Sequence, residues 1–175
     1  MSKKRSISSS KYHVLDPQEL KEVLFHDYQL IKQMKCPLQN KAKLLSTLFS
    51  INQNSWRVVG ITPAALAVFK TYGYKKQSGM GINRSHITQR ATFYLELLQT
   101  KFNTAEAFWK AYFDNDMTIL ATSTENMSKS TEIFKNYYPI PADERKLFQT
   151  AGYAWKHKDE EIEFLKDLAK HSKNK

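Results

Sequence analysis

Apolar residues return along this chain at intervals of three and four, and the intervals mark out most of its elements. Leu20, Val23, Leu24 and Ile31, with Phe25 and Tyr28 beside them, form one such stripe and predict an amphipathic helix. Asp16-Pro17 supplies its start: the aspartate accepts from the first free N–H groups, and proline loses nothing by lacking one there. Pro37 ends it near Met34, because the residue before a proline is pushed out of the helical region. Ala42, Leu45, Leu48 and Phe49 mark a second helix over 39–49. Thr62-Pro63 opens a third, carried by Ala64 to Phe69 as far as Tyr72, with Gly73 as its stop. Ala91, Tyr94, Leu95 and Leu98 predict a helix over 88–101, and Thr104 begins another through Phe108, Trp109, Tyr112 and Phe113.

Short β-branched runs interrupt the helical pattern. Trp56-Arg57-Val58-Val59-Gly60 reads as a strand or tight connector, and 117–122 alternates as a strand does. Thr124 is placed to cap a helix that starts at Glu125-Asn126 and runs through Ile133, Phe134 and Tyr137, where Pro139 and Pro141 stop it. Segments 143–150 and 160–170 predict two last helices. The expected class is α+β, predominantly helical with a few short central strands, in one domain over 12–170. Residues 1–11 and 171–175 are basic and almost without apolar side chains, and are expected to be a flexible tail and a frayed end.

Charge changes the picture more than composition does. Lys and Arg number 27 against 17 Asp and Glu, a net charge of +10 over 175 residues. Such a surface attracts polyanions through phosphate contacts and counterion release. No apolar run approaches the roughly 18–20 residues of a membrane span, so the expected partner is nucleic acid, foremost duplex DNA, and not a membrane. The one cysteine, Cys36, excludes a structural cysteine cluster and suits a reducing, cytoplasmic setting.

The densest chemistry lies in Gly79-Met80-Gly81-Ile82-Asn83-Arg84-Ser85-His86-Ile87-Thr88-Gln89-Arg90. It has no third glycine of a dinucleotide loop, and the chain contains no Gly-x-x-x-x-Gly-Lys, His-Glu-x-x-His or Gly-x-Ser-x-Gly motif. Phosphodiester hydrolysis needs a base for water and positive charge for the transition state. His86 is the candidate base, Arg84 and Arg90 are candidate bidentate phosphate clamps, and Tyr74, Lys75 and Lys76 are candidate stacking and backbone contacts. Each has a plainer alternative: a surface histidine, a helix-start asparagine or a solvated basic edge has the same sequence signature.

With Glu125-Asn126 about forty residues on, where a strand passes into a helix, residues 79–135 loosely resemble the His-Me finger (HNH, or ββα-metal) nucleases. The resemblance implies that His86 is the general base and that Asn126 orients it. It also implies that Asn126 and Glu125 hold a divalent ion, Mg²⁺ foremost. The function expected from it is a metal-dependent DNA endonuclease of restriction type, with a symmetric homodimer as the economical arrangement on a two-fold site. The alternatives are a non-catalytic basic DNA-binding protein, with 62–72 and 88–101 as a loose helix-turn-helix, and an RNA-binding protein.

Overall fold

The computed structural model describes residues 17–50, 56–128, 135–141, 147–148 and 158–172. The expected tail at 1–11, most of the expected helix at 143–150 and the connection at 152–157 lie outside them. Among the described residues the chain runs α1 (Pro17–Gln33), α2 (Leu38–Ser50), β1 (Arg57–Ile61), α3 (Pro63–Thr71), β2 (Ile82–His86), α4 (Arg90–Gln99) and α5 (Ala105–Asn115). It continues through β3 (Met117–Thr122), α6 (Ser123–Met127), β4 (Tyr138–Pro139) and α7 (Asp159–His171). This is a helix-rich α+β domain.

The four strands form one mixed sheet in the order β2-β3-β1-β4. β1 and β3 run parallel in the middle, with a register shift between Val58 and Gly60. β2 pairs antiparallel to β3 from Ile82 opposite Thr122 to His86 opposite Thr118. The two-residue β4 pairs antiparallel to β1.

Two apolar cores result. The helical core joins α1, α2, α4 and α5 around Leu24, Leu45, Tyr94 and Phe108. Phe108 is its hub: its ring lies 4.7 Å from that of Tyr28 and 5.7 Å from those of Phe25 and Phe49. The sheet core packs Val58, Ile61 and Leu120 against α3, α7 and Phe148. Thr62 caps α3 through its side chain, as Pro63 predicted, and Gly73 takes the left-handed conformation (φ 62°) that stops it.

Three elements depart from the expectations. Segment 82–86, to which the sequence pattern assigns no element, is a strand, because its pairing with β3 outweighs the low β-propensity of Asn83. The helix after β3 starts one residue after Thr122, which caps it in place of Thr124, and it ends at Met127. Tyr137 is therefore not helical; it leads into β4, which the two prolines had hidden. Finally, strand β2 intervenes between α3 and α4, and the two helices belong to different cores. That is not helix-turn-helix geometry.

Gly60 is fixed by close approach rather than by its dihedrals. A Cβ there would stand 2.1 Å from Cδ2 of Tyr137, so any side chain must displace that ring from the sheet edge. Gly60→Ala is expected to cost about 1–3 kcal/mol, read by urea unfolding; a cost below about 0.5 kcal/mol would show that the ring moves aside freely.

Candidate functional site

Where the sheet meets the helical core, a polar and aromatic cluster is built from the ends of four elements. Asp116 ends α5 and immediately precedes β3. Its side chain is 1 % exposed. Its Oδ2 accepts from the Trp56 backbone N–H at 2.8 Å and from the Tyr112 hydroxyl at 3.2 Å. Its other oxygen, Oδ1, lies 3.4 Å from Nε2 of His86 at the end of β2. That pair is close enough for an ion pair, yet neither atom has a hydrogen-bond partner among the described residues.

Trp56 is the surface on which the cluster assembles. Its backbone is left-handed (φ 57°), which costs a non-glycine residue of order 1–3 kcal/mol and persists only when neighbours enforce it. Here both of its peptide groups are held: the N–H by Asp116 and the carbonyl by the Thr118 hydroxyl at 3.0 Å. The His86 ring meets the indole edge-on at 4.8 Å. The guanidinium groups of Arg84 and Arg90 lie 4.9 and 4.6 Å from its ring centre, inside the range of cation–π attraction. Arg90, at the start of α4, also donates to the carbonyl and hydroxyl of Ser46 on α2. Arg57 donates to the Phe113 carbonyl at 2.6 Å and lies over the Phe113 ring.

Burial governs the charge here. Arg84 is 8 % exposed, and burial pulls its pKa down to about 10, against the upward pull of Asp116. It remains a cation at neutral pH, but a costly one. Desolvation lowers its pKa by more than the neighbouring carboxylate raises it.

The structure divides the residues singled out in the sequence between the two ends of the β2–β3 ladder. His86, Arg84 and Arg90 come together around Trp56. Glu125 and Asn126 lie on α6, beyond the Ile82–Thr122 pair. From Ile82 to His86 is four residues, about 13 Å along a strand. Glu125 is occupied: its Oε2 accepts from the hydroxyls of Thr62 and Thr122 and from the Thr122 N–H, at 2.8–3.0 Å. It completes a capping box that also ties α3 to α6. Tyr74, Lys75 and Lys76 lie on the connection from α3 to β2; Tyr74 is left-handed (φ 62°) and packs against the sheet core.

Glu125 and Asn126, expected to hold a divalent ion, stand at the other end of the ladder from His86, and Oε2 of Glu125 is taken up by the cap. His86 and Asp116 do form a pair of donors, but Arg84 beside them opposes a second cation.

The sequence does not single out Asp116, Trp56 or Tyr112 as site residues: Tyr112 reads as a position of a helix and Trp56 as the start of a strand. Their shared role depends on bringing residues 56, 86 and 116 together, which no local pattern announces.

Comparison with protein-family models, with curated proteins and with solved structures finds no match to this chain.

If Arg84 serves a ligand rather than the fold, Arg84→Met should change stability by no more than about 1 kcal/mol, because an apolar side chain replaces a desolvated charge. Chemical denaturation measures this. A loss of about 3–5 kcal/mol would instead make Arg84 the structural counter-ion of Asp116.

Proposed function

We propose that this chain binds nucleic acid and hydrolyses its phosphodiester bonds at the Trp56–His86–Asp116 cluster, with duplex DNA the first substrate to test. The observation that carries the reading is the convergence of His86, Arg84 and Arg90 on the Trp56 indole, with Asp116 3.4 Å from His86, in a chain of net charge +10.

The chemistry follows from the roles the side chains can take. With its proton on Nε2, His86 has Oδ1 of Asp116 at 3.4 Å, and the carboxylate stabilises the imidazolium once it forms. Nδ1 is then the lone pair that takes a proton from the attacking water. The pentacovalent phosphorus gains negative charge as the water oxygen bonds to it. Arg84 and Arg90 supply fixed positive charge and planar donors for the equatorial oxygens. The leaving oxygen departs with a proton returned from the imidazolium or from solvent. Each role in this sequence has a side chain of the cluster to fill it, and the EDTA comparison below tests whether a divalent ion takes part.

A second reading has an observation of its own. His86 and Arg84 show only about a tenth of their side chains to solvent. That degree of burial favours a non-catalytic nucleic-acid-binding protein in which the cluster braces the seam.

Cleavage of supercoiled plasmid and of single-stranded RNA, each with Mg²⁺ or with EDTA, separates these readings. The hydrolase should cut one of the two and continue in EDTA. His86→Ala should slow it about 10²–10⁴-fold, the scale of a lost general base, while affinity stays within about threefold. Undiminished cleavage by His86→Ala would remove the histidine from the mechanism. Loss of cleavage in EDTA would transfer the electrophilic role from the arginines to a metal. A salt-reversible gel shift with no cutting in any condition would leave the binding reading standing.

A further inference from the structure

Beside the cluster, α2 and α4 leave a cleft of about 360 Å³ between them, within the lower part of the range of small-ligand sites. Its apolar lining comes from Ala42, Ala91, Tyr94 and Leu95. The rim is of another kind: Lys43, Arg90 and the amide of Gln39 border the opening.

We propose that this cleft receives a nucleobase whose phosphate is held at the rim by Lys43 and Arg90. The proposal rests on the nucleic-acid reading above and adds a recognition subsite to it. Three features favour a base with its phosphate over an uncharged apolar ligand. Ala42, Tyr94 and Leu95 give the cleft an apolar lining, which suits a flat ring. The rim carries two cations. Gln39 offers both an acceptor and a donor in one amide, the pairing that a base edge presents in return.

Arg90 gives the cleft its connection to the candidate site. Its guanidinium donates to Ser46 at the cleft and also lies against Trp56. A phosphate held there is next to the cluster, and the base attached to it is directed into the cleft. The bound unit is the same whether it belongs to a polynucleotide or is free in solution.

Titration calorimetry of the full chain with adenosine monophosphate, cytidine monophosphate, adenosine and inorganic phosphate tests this directly. At least one monophosphate should bind ten times or more tightly than either adenosine or inorganic phosphate, because base and phosphate are held together. Ala91→Trp fills the cleft from an exposed helix position and should abolish that advantage without unfolding the protein. Lys43→Ala should weaken the monophosphates several-fold and leave adenosine unchanged.

Equal binding of monophosphates and inorganic phosphate would overturn the proposal. So would a monophosphate advantage that survives in folded Ala91→Trp. A parallel gel-shift and cleavage assay with polynucleotide keeps the two readings apart. Polynucleotide bound and cut, with monophosphates bound no better than phosphate, defeats the subsite alone. Monophosphates bound with the expected advantage, and polynucleotide left uncut, support the subsite and defeat the hydrolase.

Discussion

The fold turns on one buried carboxylate. Asp116 sits between the last turn of the helical core and the first residue of a central strand, and it is bound from both sides. It accepts from Tyr112 within the helical core and from the Trp56 N–H at the entrance to the sheet. A buried carboxylate without such donors would be expelled or protonated; with them it fixes the angle at which helices and sheet meet. The backbone repeats the junction, since the Arg57 N–H donates to the Asp116 carbonyl at 3.2 Å.

This anchoring explains how Trp56 is kept in an unfavourable conformation. Its left-handed backbone is held at the N–H by one element and at the carbonyl by another. The indole is thereby presented to residues from β2 and α4. Because the two arginines and the histidine all lie against this one ring, their mutual arrangement depends on how firmly Trp56 is held. A site supported in this way can keep cations close together, which a solvated surface with mobile lysines cannot.

Most of the helices and two of the strands were legible in the sequence because local signals and tertiary packing agree there. Thr62-Pro63, for example, is both a cap and the observed start of α3. β2 was not legible: Ile82-Asn83-Arg84-Ser85-His86 has polar residues on both faces, and its strand character comes from β3. The short α6 was misplaced because 122–124 offers Thr, Ser and Thr in succession, each a competent cap. The reciprocal bond from Glu125 selects Thr122. For the site, His86, Arg84 and Arg90 stood out through their density in one basic stretch. Their partner did not, since an aspartate at a helix end is an ordinary sight in sequence. Only the parallel pairing of β1 with β3 brings Trp56 to it.

The two ends of the β2–β3 ladder now differ in a way that bears on function. At the α6 end, Glu125, Thr62 and Thr122 satisfy one another in a closed set of hydrogen bonds, which is what a purely structural role produces. At the other end, His86 Nε2 and Asp116 Oδ1 face each other at 3.4 Å without closing the bond, and a desolvated arginine lies beside them. Folding alone favours saturating such groups or replacing them with apolar ones. Perturbed and incompletely paired buried groups cluster at functional sites more often than elsewhere, though structural networks produce them too. The hydrolase reading proposed above accordingly rests on the histidine end of the ladder, where hydrogen bonding is left open, and not on the helix-start end, where it is closed.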